Sequence, residues 1–304
     1  MTTLPGDAPV GIIDPFVVLN HPDLPEVPMP REALRDDESL AAWPASDIVG
    51  HLFKKDDATR ARYDTSRDID AFVANLDASS IARAGVPLAP DTPDDVFDRL
   101  AALDGRVFVT LRANPHDGMR GIRRLDELCD RYPMIRSISL TPFQLHPTIP
   151  PNSKEYYPIY AKCVERELAV FVNVGFPGPR VPAWTQDPMH LDEVCWFFPD
   201  LTVVMRHGGL PWVDVCEQML LRWPNLYYAT TAIAPRYYPE VIVRLASKRG
   251  ADKVIFAGYW PLLPYERVFT ELSALDIAPE ALPKLLAGNA ERAFRLDVLD
   301  GARP

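Results

Sequence analysis

The chain has 304 residues, 47% of them hydrophobic and 24% charged, which is the range of an ordinary globular protein and excludes a disordered or collagen-like one. Lysine and arginine number 32 against 42 aspartates and glutamates, a net charge of −10. That balance lacks the basic footprint that phosphate backbones and anionic membrane surfaces select, so neither nucleic acid nor a membrane is an expected partner.

The opening, MTTLPGDAP, carries no basic region followed by an apolar run, and no stretch of 18 apolar residues occurs. A cytoplasmic location is the expectation. Cys129, Cys163, Cys195 and Cys216 form no C-x-x-C pair, so neither a zinc knuckle nor a disulfide framework is read from them. Their neighbours are apolar, as in LDELCDRY and DEVCWFF, which suits buried thiols in helices. Prolines number 32, roughly twice the ordinary ~5%. Many flank helix-like segments, such as Pro133, Pro199, Pro211 and Pro224, where a fixed φ starts or stops a helix.

In chain order, the first strand candidate is VGIIDPFVV at 10–18. Residues 20–80 then break any alternation, first Pro-rich and then charged, and read as a long insertion carrying short helices. In a barrel such a loop lies at the catalytic face; a lid or partner surface and a solvated decoration both remain open for it. A weaker strand candidate follows at 80–86. From residue 106 onward, strand runs at 106–112, 134–140, 169–174, 201–207, 225–230 and 252–258 are each followed by an amphipathic stretch. Six consecutive β-then-α units indicate a parallel sheet covered by helices, and runs apolar on both faces are what buried parallel strands require. With the two upstream candidates the strands number eight, which argues for an α/β protein of the (β/α)8 TIM barrel type, one domain over 1–304 with the insertion at 20–80. No G-x-G-x-x-G or G-x-x-x-x-G-K follows a strand, so a nucleotide-binding doubly wound sheet lacks its main signal.

Reactive side chains of such barrels sit at the C-terminal ends of the strands. Read there, His207 is a general-base candidate, with loop hydrogen bonding as its alternative. Asp14 is a base or a structural acceptor, and Tyr259 a proton donor or a volume filler. Arg112 is suited to clamp a substrate carboxylate, or else to pair with an acid such as Asp14. Asn173 can donate to an oxyanion, and Phe16 and Trp260 would make the pocket apolar. His21 and His146, beside prolines in loops, are expected to be exposed.

The stretches EYYPIYAKCVERELAVFVNVG, LDEVCWFFPDLTVVMRHGGLPW, NLYYAT and VIFAGYWP, with LAGNAERAFRL near the end and IIDPF at the start, resemble the amidohydrolase superfamily. The similarity is to its amidohydrolase-2 branch, related to aminocarboxymuconate decarboxylase, and covers roughly residues 100–296. The resemblance implies a metal-dependent hydrolase or decarboxylase barrel. The family opens with Ile-Asp-x-His-x-His, whose histidines bind a metal; here those two positions hold Phe16 and Val18. The family's next histidine falls on Asn173 and its strand-eight aspartate on Tyr259, while its strand-six histidine is His207. A catalytic zinc takes about three protein ligands of N, S or carboxylate type, so no metal and no other cofactor is expected. Three functions stay open: a metal-independent hydrolase or decarboxylase acting on a small carboxylated or acyl substrate, an inactive homologue that pairs with an active metal-dependent paralogue, and a small-molecule binding protein. A homo- or hetero-oligomer is implied by the resemblance alone.

Overall fold

The computed structural model describes residues 11–25, 34 and 56–299. Eight strands are present: β1 (Ile12–Asp14), β2 (Ile81–Leu88), β3 (Val107–Arg112), β4 (Ile135–Leu140), β5 (Ala169–Asn173), β6 (Val203–Arg206), β7 (Leu226–Ala229) and β8 (Val254–Ile255). They pair in parallel in sequence order, and this curled sheet with helices outside it is a (β/α)8 TIM barrel. Each expected strand is found, and β2 runs on to Leu88.

Neighbouring residues of a strand point to opposite faces, so each run feeds two cores. On β6, Val203 and Met205 pack outward against the helices. Val204 joins Ile13, Phe108, Phe171, Ile255 and Ala257 inside the cylinder. The helix Asn289–Phe294 closes the N-terminal end of the barrel with Phe294, whose ring lies 5.4 Å from Phe108 and 5.6 Å from Phe171 between centroids.

The six anticipated helices are Gly118–Arg131, Tyr157–Glu165, His190–Phe197, Val213–Arg222, Glu240–Ser247 and Tyr265–Leu272. Each of the four cysteines lies in one of them; three are buried, Cys129 is half-buried, and all are free thiols. A further helix, Asp94–Ala101, which the sequence reading did not anticipate, follows Pro93 between β2 and β3 and buries Val96, Phe97 and Leu100. Among the described residues no helix is long and apolar enough to cross a membrane.

Within the insertion after β1, the described part forms the helices Asp57–Thr65 and Ile69–Ala78. Asp56 and Asp68 cap them, accepting from the backbone N–H groups of Thr59 and Ala71, which satisfies donors a helix start leaves orphaned. The second helix buries Ile69, Phe72 and Leu76 against the barrel. Residues 26–33 and 35–55 of the expected insertion lie outside the described residues.

The sheet has no β8–β1 ladder among the described residues. A carboxylate bridges that seam. Asp14 Oδ2 accepts from the Gly258 N–H at 3.0 Å and the Tyr265 hydroxyl at 2.9 Å, and Oδ1 accepts from the Phe16 N–H at 3.1 Å. One backbone bond, Val18 N–H to Trp260 O at 2.9 Å, lies beside it. Gly258 is required here, since a Cβ would fall 2.7 Å from Asp14 Oδ2 and 2.8 Å from the Tyr265 ring.

Candidate active site

The C-terminal ends of the strands surround a cavity of about 720 Å³. Alternation decides what reaches it. Going up the inner face, Phe108 gives way to Thr110 and Arg112 on β3, Ser137 to Ser139 on β4, Phe171 to Asn173 on β5, and Val204 to Arg206 on β6. Register sets Arg112 beside Ser139 and Asn173 beside Arg206. The cylinder is thus apolar below and polar at the rim.

Arg206 is the most constrained group of that rim. Its Nε donates to Asn173 Oδ1, and its Nη2 donates to Ser139 Oγ at 2.7 Å and to Thr141 Oγ1 at 3.2 Å. The guanidinium carbon lies 5.0 Å from the ring centroids of both Phe16 and Phe171, within cation–π reach. Only 3% of the residue is exposed, and Nη1 is buried without a hydrogen-bond partner. Burial, followed by the charge of Arg112, pulls the Arg206 guanidinium down to about 9, which leaves it charged at neutral pH.

Arg112 also has a buried, unpartnered Nη1, and burial lowers it to about 10, with Asp91 offsetting part of that effect. It does not pair with Asp14, whose oxygens are occupied at the seam.

His207 holds a left-handed backbone, φ 70°. Thr231 Oγ1 fixes it, accepting the His207 backbone N–H at 2.9 Å and lying 2.8 Å from Nδ1. Nε2 makes no hydrogen bond among the described residues. Burial and then Arg206 hold the imidazole well below its ordinary range, so the ring is neutral at pH 7. Its edge meets Phe16 at 5.1 Å and Tyr259 at 5.5 Å between centroids. Burial pushes the Tyr259 phenol up to about 12, which keeps its proton in place.

Of the seven residues singled out in the sequence, His207, Arg112, Asn173, Phe16 and Tyr259 line the cavity together. Asp14 and Trp260 do not. Asp14 sits in the seam, and Trp260 is buried behind the wall, 5.7 Å from Phe72 and 6.4 Å from Tyr265 between ring centroids. His146 is exposed, as expected. His21 is not: only 10% of its side chain is accessible, with Nε2 3.4 Å from Arg99. The sequence reading missed Arg206 and Ser139; it places Thr141 at the end of β4 without giving it a role. A signal was available for Arg206, a cation two residues beyond Val204 and therefore on the inward face of an apolar strand.

The described part of the insertion reaches the same cavity through Tyr63, and the Arg62 Nε donates to Pro261 O at 2.8 Å.

What these elements define is a TIM barrel with a ligand-sized, polar-rimmed mouth, the architecture of the amidohydrolase class. The chain belongs to the Amidohydrolase family (Amidohydro_2), which it matches over residues 21–296. No curated protein matches the sequence. Among solved structures it is similar to an uncharacterised TIM-barrel protein from Bordetella bronchiseptica, with a TM-score of 0.70 at 22% identity over 94% of this chain and 99% of that one. A second is the 5-carboxyvanillate decarboxylase from Novosphingobium aromaticivorans with bound manganese and 3-methoxy-4-hydroxy-5-nitrobenzoic acid, with a TM-score of 0.66 at 15% identity over 97% of this chain and 100% of that one. A third is the 2,6-dihydroxybenzoate decarboxylase from Rhizobium, with a TM-score of 0.63 at 14% identity over 94% and 100%. At these identities the likeness is one of fold.

The family implies a metal ion, and the donors that the described residues bring to this cavity do not fit one. Phe16, Val18, Asn173, His207 and Tyr259, the positions where the resemblance leads one to expect the family's ligands, all line this cavity. Phe and Val offer no lone pair, the Asn173 oxygen is taken by Arg206, and a phenol that keeps its proton is a poor ligand. Among the described residues no group of three His, Cys, Asp or Glu side chains could hold an ion.

Proposed function

We propose that this protein is a metal-independent hydrolase or decarboxylase of the amidohydrolase family, acting in the cytoplasm on a small carboxylated or acyl substrate. One observation carries the reading. The cavity at the strand ends joins a neutral histidine with a free ring nitrogen to arginines, while no Asp or Glu of the described residues lines it. Two solved relatives are decarboxylases named for carboxylated rings, which is consistent with a carboxylate-bearing substrate.

In the tautomer that carries its proton on Nδ1, Thr231 Oγ1 accepts that N–H at 2.8 Å and His207 Nε2 keeps its lone pair for the cavity. In hydrolysis Nε2 takes a proton from water as the water oxygen bonds to the acyl carbon. The Tyr259 hydroxyl and the Asn173 amide donate to the oxyanion that develops; as it collapses, the bond to the leaving group breaks and the leaving group takes the proton from His207 Nε2. In decarboxylation Nε2 takes a proton from water, the carbon–carbon bond breaks to give CO2, that proton passes from His207 to the carbon left behind, and the hydroxide leaves with the CO2 as bicarbonate. Arg112 holds a substrate carboxylate in either case.

The test is elemental analysis of the pure protein, followed by turnover of lactones, esters and carboxylated rings before and after chelation. Expected is turnover that chelation leaves unchanged and that His207→Ala lowers by about 10²–10⁴-fold. Turnover lost on chelation and restored by a divalent ion overturns the reading.

Non-catalytic family positions favour a second reading, in which the chain pairs with a metal-bearing paralogue and shapes its pocket or simply binds a small molecule. Four of the five aligned positions, Phe16, Val18, Asn173 and Tyr259, carry that case. Co-purification from native extract separates the two readings, because a strictly homomeric protein that turns over substrate rules the second out.

A further inference from the structure

The two described helices of the insertion after β1 are held to the barrel by different means. Ile69–Ala78 buries Ile69, Phe72 and Leu76. Asp57–Thr65 buries no residue at all. Its half-buried Thr59, Arg62 and Tyr63, continued by the buried Ser66, recur at helical spacing and mark the side turned to the barrel. That side carries hydroxyls and a guanidinium where the second helix carries aliphatic and aromatic carbon. A polar underside exchanges its bonds for bonds to water at little net cost, so it lifts off far more readily than an apolar one.

The attachments gather at the C-terminal end of the Asp57–Thr65 helix. Asn20, shortly after β1, donates its backbone N–H to Ser66 O at 2.8 Å and its Nδ2 to Ser66 Oγ at 2.6 Å. Ser66 Oγ in turn donates to Tyr63 O at 2.7 Å. Arg62 Nε donates to Pro261 O, in the loop after β8, at 2.8 Å. Tyr63, between these two attachments, lines the cavity with Val18, Asn20, Tyr259 and Leu262. The helix therefore rests on the β8–β1 side of the mouth, pinned at one end by Asn20 and tied across the join by Arg62.

We propose that the helix Asp57–Thr65 is a lid on the cavity, turning about Ser66 and latched to Pro261 by Arg62, and that Tyr63 is the side chain that covers the mouth. Lifting the lid breaks the bond from the guanidinium to the Pro261 carbonyl and hydrates a polar face. The Ile69–Ala78 helix stays seated on its apolar side. With the lid down, Tyr63 keeps bulk water from the cavity that His207 also lines; with it up, ligands enter and leave. This inference rests on the reading of the cavity as the ligand site and adds how access to that site is governed.

Access to the cavity tests it without a substrate. In the full chain, Val18→Cys puts a thiol in the wall that Tyr63 shares, while the four native cysteines, buried or half-buried, react slowly. The probes are the bulky N-(1-pyrenyl)maleimide and the small iodoacetamide. Arg62→Met keeps the stem and loses the latch, and should speed pyrenylmaleimide labelling about tenfold, as loss of one hydrogen bond to a charged group implies. Tyr63→Ala should speed it at least as much, and Arg62→Met should then add little, because the cover is already gone. Iodoacetamide labelling should change far less. Arg60→Met, on the exposed side of the same helix, should change neither rate. Deuterium exchange of the unmodified chain should find the amides of 61–65 at least about tenfold less protected than those of the Ile69–Ala78 helix. Pyrenylmaleimide labelling unchanged by Arg62→Met and Tyr63→Ala, an equal effect from Arg60→Met, or two helices that exchange together overturns the proposal. The exchange measurement needs no added cysteine and decides even if Val18→Cys fails to fold. Failure of the turnover screen leaves labelling and exchange unaffected, so the two readings fall separately.

Discussion

The two ends of the barrel use the same inward-facing positions for opposite purposes. At the N-terminal end Phe108, Phe171 and Phe294 interlock with Ile13 and Val204, with no polar atom of their side chains to satisfy. At the C-terminal end, two to four residues further along the strands, the same alternation delivers Arg112, Ser139, Asn173 and Arg206. The lower end spends its burial on stability. The upper end buries two guanidinium groups, Arg112 and Arg206, at a cost in stability. Separating the two along one axis lets the rim change its chemistry without loosening the cylinder.

The largest effect that could break this division is expected at the lower end. Phe294→Ala should cost about 3–5 kcal/mol in chemical denaturation, with ligand binding at the rim retained. A comparable loss of binding would mean the two ends are coupled.

The seam carboxylate is the next largest. Burial raises Asp14 to about 7, against the pull of its three donors, while an unfolded chain holds it near 3.8. The folded state therefore binds the proton more tightly between those values. Stability should fall by about 1 kcal/mol per pH unit as pH rises from about 4 to about 7, and no further above that. The carbon-13 signal of the Asp14 carboxyl should titrate near pH 7. A signal already ionised at pH 5 would place the seam on the side of its hydrogen bonds, not of its desolvation.

At the upper end Arg206→Met should raise the stability of the ligand-free protein by about 1 kcal/mol, since it removes an unneutralised buried charge. Lower stability would mark Arg206 as a structural tie. Smallest of all is thiol reactivity. Burial pushes Cys129 up to about 11 and Cys195 and Cys216 up to about 12, so alkylation of the folded protein at pH 8 should be slow at every cysteine.

The barrel was legible because each strand is an apolar run bounded by proline, glycine or charge, and such runs report burial on both faces. The Asp94–Ala101 helix escaped notice because its eight residues sit in a segment, DTPDDVFDRLA, that is more acidic than amphipathic to the eye. The rim was legible in part. His207 and Tyr259 stand at strand ends, where position alone nominates them. Arg206, one residue earlier than His207, needed the inward parity of β6, which only Val204 betrays. Asp14 shows the converse: it follows inward-facing Ile13, so its side chain turns from the cavity into the seam. A chemically promising residue next to the right position points the wrong way.

The carboxylate at the β8–β1 join has a dynamic consequence. Among the described residues, a cylinder whose staves are laced by backbone ladders everywhere except one line, crossed by one backbone bond and by a single acid held by Gly258 and Tyr265, breathes along that line first. In deuterium exchange the Gly258 and Phe16 amides should lose protection sooner than the β4–β5 ladder, and raising the pH should hasten the split.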